Sequence, residues 1–129
     1  MPKKILIIDD EALITATLKN LLGRQGHAVV IAGDAASGLR AAREHDFDLI
    51  ITDVRMPGTD GVEAVKQIRA CLREHGKKPV PEIFITGYAD LEKYEAARSL
   101  GAAAWLYKPF DNDDLLRAVD EALGRRADD

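Results

Sequence analysis

Phe47-Asp48-Leu49-Ile50-Ile51-Thr52-Asp53-Val54-Arg55-Met56-Pro57 is the stretch whose reading decides the fold. Leu49, Ile50 and Ile51 are consecutive, without helical spacing, and their run is too short for an ordinary helix. Bounded by polar residues and a proline, it suits a strand buried on both faces. Asp53 follows where that strand should emerge from its sheet. A carboxylate in apolar surroundings is costly unless solvated, paired or bound to a cation. In open parallel α/β sheets the ligand crevice lies outside the carboxyl ends of the strands. Alone, a strand-end aspartate most often only begins a turn; the other strand ends change that reading.

Outward from this stretch, strand-like and helix-like segments alternate five times. Ile5 to Ile8 is an apolar run closed by Asp9 and Asp10. Ile14, Leu18, Leu21 and Leu22 mark one face of a first helix, with Gly26 suited to its left-handed cap. Ala28 to Ala32 reads as the second strand, and Asp34 caps a helix through about Glu44 anchored by Leu39. After the central strand, Pro57 to Gly61 is a dense turn cluster. Asp60 with Glu63 forms a capping box ahead of the Val62, Val65, Ile68, Leu72 stripe. Arg73 to Pro81 is a loop, Glu82 to Thr86 the fourth strand, and Asp90 caps a fourth helix to about Leu100. That helix has the weakest apolar stripe of the five. Ala102 to Tyr107 is the fifth strand, and Asp111 caps a last helix whose buried face holds Leu115 or Leu116, Val119 and Leu123. Parallel neighbours need right-handed crossovers, so five such units predict a doubly wound three-layer α/β domain. The pattern alone leaves strand order open.

The chain has 129 residues, 47% hydrophobic and 31% charged, which fits one globular domain with a full core. A net charge of -4 gives no electrostatic footprint for nucleic acid. Cys71 is the only cysteine, which excludes an internal disulfide. No apolar run approaches the ~20 residues a membrane-spanning helix needs, and none suits a secretory leader. A cytoplasmic location is expected. His27, His45 and His75 stand in or near turns and read as solvated.

The strand ends carry the chemistry. The first gives Asp9 and Asp10, the third Asp53, the fourth Thr86 and the fifth Lys108. In a parallel sheet all five gather on one edge. Two unit charges ~4 Å apart repel by about 4 kcal/mol at an effective dielectric near ~20. A hard divalent cation relieves this, and Mg²⁺ takes one or two carboxylates together with waters and phosphate oxygens. Cation, ammonium and hydroxyl around one carboxylate suit phosphoryl transfer onto Asp53.

At these residues the chain resembles the receiver domain of two-component response regulators, from Lys4 to Leu123. The matching pieces are ILIIDDE, DLIITDVRMPGTDG, IFITGYAD and WLYKPF. The resemblance implies a flavodoxin-like, chemotaxis-receiver-like fold with strand order 2-1-3-4-5 and a cis proline after Lys108. It implies that Asp53 accepts a phosphoryl group from a sensor histidine kinase or phosphotransfer protein. Asp10, Asp53 and the backbone carbonyl of Arg55 would ligate Mg²⁺, with Asp9 acting mainly through water. Lys108 and Thr86 would bind phosphoryl oxygens, and Thr86 would move inward. The switch aromatic falls on Trp105, where members usually carry Tyr or Phe. The face of the fourth helix, fifth strand and fifth helix would meet a downstream target, an output domain or a second copy. The loop before the fourth strand is longer than usual for the family.

Competing readings are weaker. Aspartate-nucleophile phosphohydrolases carry Asp-x-Asp after their first strand, whereas Asp9 and Asp10 are adjacent, and no cap insertion encloses a substrate. No GxxxxGK or GxGxxG follows any strand, which argues against a nucleotide or flavin binder. A degenerate receiver acting only as an interaction module would not keep all five residues. The expected organisation is a receiver over residues 1–124, with 125–129 as a tail or the start of a linker and no output domain within the chain. Arg55 and Tyr88 flank the acceptor and the threonine and are expected to tune the lifetime of the phosphoryl group.

Overall fold

The computed structural model describes residues 3–127. Its strands are β1 (Lys4–Ile8), β2 (Ala28–Ala32), β3 (Leu49–Asp53), β4 (Glu82–Thr86) and β5 (Ala104–Tyr107). Its helices are α1 (Ala12–Arg24), α2 (Ala35–Glu44), α3 (Gly61–Glu74), α4 (Leu91–Ser99) and α5 (Asn112–Ala127). All four strand pairings are parallel and the order is β2-β1-β3-β4-β5. The doubly wound sheet is therefore as expected. No helix among the described residues is long and apolar enough to cross a membrane.

Strand alternation sorts the core into two layers. Ile5 and Ile7 pack with Leu18, Leu22, Leu115 and Val119 on one face of the sheet. Leu6 and Ile8 pack with Ala42, Ile50, Ile68 and Leu72 on the other. Every residue of β3 and β4 is buried, which explains why their sequences are apolar runs rather than alternations. A third cluster of Val54, Val62, Val65, Phe84 and Ala97 lies under α4. Ala97 is the one buried residue that α4 contributes, in keeping with its weak stripe.

The expected caps form. Asp34 accepts from Ser37 N (2.8 Å), Asp60 from Glu63 N (3.0 Å) and Asp90 from Lys93 N (3.1 Å). Asp111 accepts from Asp113 N at 2.7 Å. Gly26 takes a positive φ of 87° after α1, as the sequence suggests. Gly76 and Gly101 end α3 and α4 in the same way, which the sequence reading did not single out. At each of these ends a 6→1 bond (His27 N to Leu22 O, Lys77 N to Leu72 O, Ala102 N to Ala97 O) accompanies a 5→2 bond from the glycine. This cap takes up Ala102, so β5 starts at Ala104 and not at Ala102. At the other end, α5 runs through Gly124 to Ala127, past Leu123. Of the expected tail 125–129, Asp128 and Asp129 lie outside the described residues.

Candidate functional site

The carboxyl ends of β1, β3, β4 and β5 open on one crevice of about 580 Å³, lined by residues including Asp10, Asp53, Arg55, Tyr88 and Lys108. Asp9 directly after β1 and Asp53 at the end of β3 close the apolar runs 5–8 and 49–51 and are almost entirely buried, at 2% and 4% exposure. Asp10, one residue further, is exposed. Carboxylate oxygens of Asp9, Asp10 and Asp53 lie within 4.8 Å of one another, the cluster predicted from the strand ends.

Lys108 reaches into this cluster from the end of β5. Its Nζ stands 3.3 Å from Asp53 Oδ2, 3.1 Å from Asp9 Oδ2 and 2.6 Å from Glu11 Oε1. Glu11 is the partner the sequence reading missed: it lies within the quoted ILIIDDE motif but was given no role. Two residues past Asp9, across the turn into α1, it is within reach of whatever that strand end holds. Asp9 Oδ1 makes the turn by accepting Glu11 N at 2.9 Å. The Lys108–Pro109 peptide is cis, as the resemblance implies.

Electrostatically the cluster is under-compensated. Burial raises the Asp9 carboxyl above the usual carboxylate range, despite the bond from Glu11 N and the nearby charge of Lys108. Burial, and then the charge of Asp9, raise Asp53 as well, against the pull of Lys108. Burial alone would depress Lys108, but Glu11, Asp9 and Asp53 together hold it well above the usual lysine range. Asp9 Oδ2 is buried and receives no hydrogen bond, although the Lys108 ammonium stands 3.1 Å away. A buried carboxylate oxygen without a donor, beside two further carboxylates, is an oxygen-only donor set that fits a hard divalent cation.

Thr86 is buried at the end of β4, and its hydroxyl accepts Tyr88 N at 3.2 Å. Its carbonyl accepts Lys108 N at 2.8 Å, which ties it to the lysine through the backbone. The exposed Arg55 side chain pairs with Asp90 at 3.6 Å and lies 4.4 Å from the Tyr88 ring centre. The two residues expected to flank the site thus touch each other at its rim. Trp105 lies outside the crevice. It pairs with Phe84 across the sheet, with ring centres 6.0 Å apart, and meets Tyr94 of α4 edge-on at 5.5 Å. Its indole N–H is buried without a partner. Lys93 of α4 bonds Asp60 at 2.9 Å, so α4 is fastened by a polar contact to the segment that follows Asp53. Of the histidines, His45 and His75 are exposed, while His27 is half-buried and its Nδ1 accepts Lys3 N at 3.2 Å.

The "Response regulator receiver domain" family description matches residues 5–120. The transcriptional regulatory protein PdtaR of Mycobacterium tuberculosis is 36% identical over 126 residues, covering 97% of this chain and 58% of its own length. FixJ of Bradyrhizobium diazoefficiens is 35% identical, over 92% of this chain and 56% of that protein. The chain thus spans little more than half the length of these relatives. Among solved structures, a CheY-like receiver domain protein from Methanospirillum hungatei superposes with a TM-score of 0.89 at 32% identity, covering 99% of this chain and 98% of that one.

Proposed function

Because the chain belongs to the family of response regulator receiver domains, which are signalling domains, we propose that Asp53 is its phosphoacceptor. The donor is a sensor histidine kinase or a phosphotransfer protein, and the setting is the cytoplasm. One observation carries the reading. A buried strand-end carboxylate has an ammonium 3.3 Å away and two further carboxylates within cation-sharing distance.

Asp53 attacks the phosphorus in line, an O–P bond forms, and the P–N bond to the donor histidine breaks with its electron pair returning to the imidazole nitrogen. Lys108 neutralises charge on one phosphoryl oxygen, and the Thr86 hydroxyl, released from Tyr88 N, donates to another. Asp10, Asp53 and the Arg55 carbonyl would hold Mg²⁺, with Asp9 behind a water. When bound, the ion offsets the repulsion among the carboxylates and the incoming phosphoryl group. A raised Asp53 pKa means the free site resists its own charge, which the cation relieves. Thr86 and Trp105 then carry the change to the face formed by α4, β5 and α5, where a target, an output domain or a second copy reads it. Hydrolysis of its own acyl phosphate is the limit of turnover expected.

Incubation with acetyl phosphate, followed by intact-mass measurement, tests this. The expected result is one Mg²⁺-dependent phosphoryl adduct, absent in Asp53→Asn. Undiminished labelling of that variant would remove Asp53 from its role.

A further inference from the structure

None of that chemistry uses the opposite, amino-terminal edge of the sheet. There the end of α3, the 75–81 loop and the α4–β5 turn enclose a second cavity of about 660 Å³. This volume falls within the ~300–1,000 Å³ typical of small-molecule sites. The loop is the one that reads as longer than usual for a receiver, and phosphoryl transfer gives it no role.

Leu72, Pro79, Val80, Pro81 and Ala103 supply apolar walls. The floor is ionic. Glu82, 2% exposed, takes the Arg69 fork in two bonds of 2.6 and 2.7 Å. Arg69, Arg73 and Lys77 line the cavity against the single acid Glu82, so its net charge is positive. Two of these cations are already matched. Arg69 is held by Glu82, and Lys77 pairs with Asp46 at 3.1 Å while its Nζ also donates to the carbonyls of Ala42 and Arg43. Arg73 makes no ion pair and no side-chain hydrogen bond among the described residues. A planar guanidinium left free at the mouth of an apolar cavity matches a carboxylate in shape as well as charge.

We propose that this cavity is a second ligand site, which takes a small organic carboxylate with an apolar body. The body lies between Leu72 and the prolines, and the carboxylate pairs with Arg73. A ligand cation is disfavoured because the buried acid is already paired and the remaining charge is positive. The site stands at the far end of β4 from Thr86, about 13 Å away at the usual rise per residue, so it is separate from the acceptor crevice.

A ¹H–¹⁵N NMR titration of the whole chain with 3-phenylpropionate tests the proposal, with the uncharged 3-phenylpropanol as the matched probe. Saturable shifts should be confined to residues 69–82 and 101–103. The carboxylate should bind about fivefold more tightly than the alcohol, the worth of one partly exposed ion pair. Arg73→Gln should abolish that preference, and Asp53→Asn should leave it unchanged. Arg73 is exposed, so its variant keeps the fold. Shifts that fail to saturate in the millimolar range, that map elsewhere, or that are indifferent to Arg73→Gln overturn the proposal.

Discussion

Replacing Asp53 with asparagine should make the metal-free protein more stable, although it removes an ion pair. Lys108 Nζ at 3.3 Å attracts the Asp53 charge by about 5 kcal/mol at an effective dielectric of ~20. Asp9, within 4.8 Å, repels it by about 3.5 kcal/mol or more on the same footing. Asp10 lies within the same distance but is exposed, so solvent screens its repulsion, and the Coulomb terms come close to cancelling. Desolvation decides the sign, since a carboxylate at 4% exposure loses several kcal/mol of hydration even after relaxation. The raised pKa of Asp53, with burial its largest cause, expresses that balance. A net gain in stability on removing the charge follows from that direction, read as a higher urea midpoint for the variant. The pH dependence has a definite sign. A carboxyl whose folded pKa lies above its unfolded value binds more protons when folded, so wild-type stability falls as pH rises between the two. The advantage of asparagine should be full above the folded pKa and vanish as pH drops below the unfolded value of 3.8. Urea unfolding of both proteins across this range, without Mg²⁺, is the assay. A less stable variant at pH 7, or a pH-independent difference, refutes the reasoning. Saturating Mg²⁺ should narrow the gap, because it stabilises only the protein that keeps all its ligands; ten times Kd contributes about 1.4 kcal/mol.

Four other outcomes are expected. Asp10→Ala, at an exposed position, should leave the metal-free melting midpoint within about 1 °C of wild type but remove its rise in millimolar Mg²⁺, read by calorimetry. Gly61→Ala should cost more than about 3 kcal/mol in urea unfolding, because a Cβ there collides with the Asp53 carbonyl oxygen. Glu82→Gln should cost about 3 kcal/mol by leaving Arg69 without its counter-charge, and the loss should shrink if Arg69→Met is added. Beryllofluoride with Mg²⁺ should change the emission of Trp105, the single tryptophan, and raise or lower hydrogen exchange mainly between Asp90 and Leu100; constant emission with changes confined to α2 would contradict the switching route.

Much of this molecule was legible from residue order because its strands are short apolar runs punctuated by the polar residues that gather in the crevice. Leu49 to Ile51 is buried throughout, and the aspartate after it stands where the reading put it. Caps such as Asp34 and Asp90 were readable because their bonds span three residues. What stayed hidden depends on contacts between distant positions. Glu11 meets Lys108 across 97 positions, and nothing in the spacing of either announces the other. Gly61 reads as one more turn glycine, while its requirement comes from the approach of α3 to the end of β3. Glu82, a charged residue opening an apolar strand, gave no sign that Arg69 thirteen residues earlier would bury with it. Strand order was supplied by family resemblance, since parallel crossovers leave it open.

The single ammonium of Lys108 among three carboxylates has a thermodynamic consequence. It carries three protons, and Asp9, Asp53 and Glu11 already crowd around them. On the proposed chemistry a phosphoryl oxygen arriving at Asp53 would be a fourth claimant, and the partner that yields at least cost is Glu11, whose side chain is 56% exposed and readily rehydrated. Linkage runs both ways. If occupation of Asp53 loosens Glu11 from Lys108, a molecule that engages Glu11 at the start of α1 frees the ammonium for the phosphoryl group. It strengthens phosphoryl binding by the same factor by which phosphorylation strengthens its own docking. On that linkage the first turn of α1, which has no side-chain cap of its own, would be a second place from which the acceptor site is addressed.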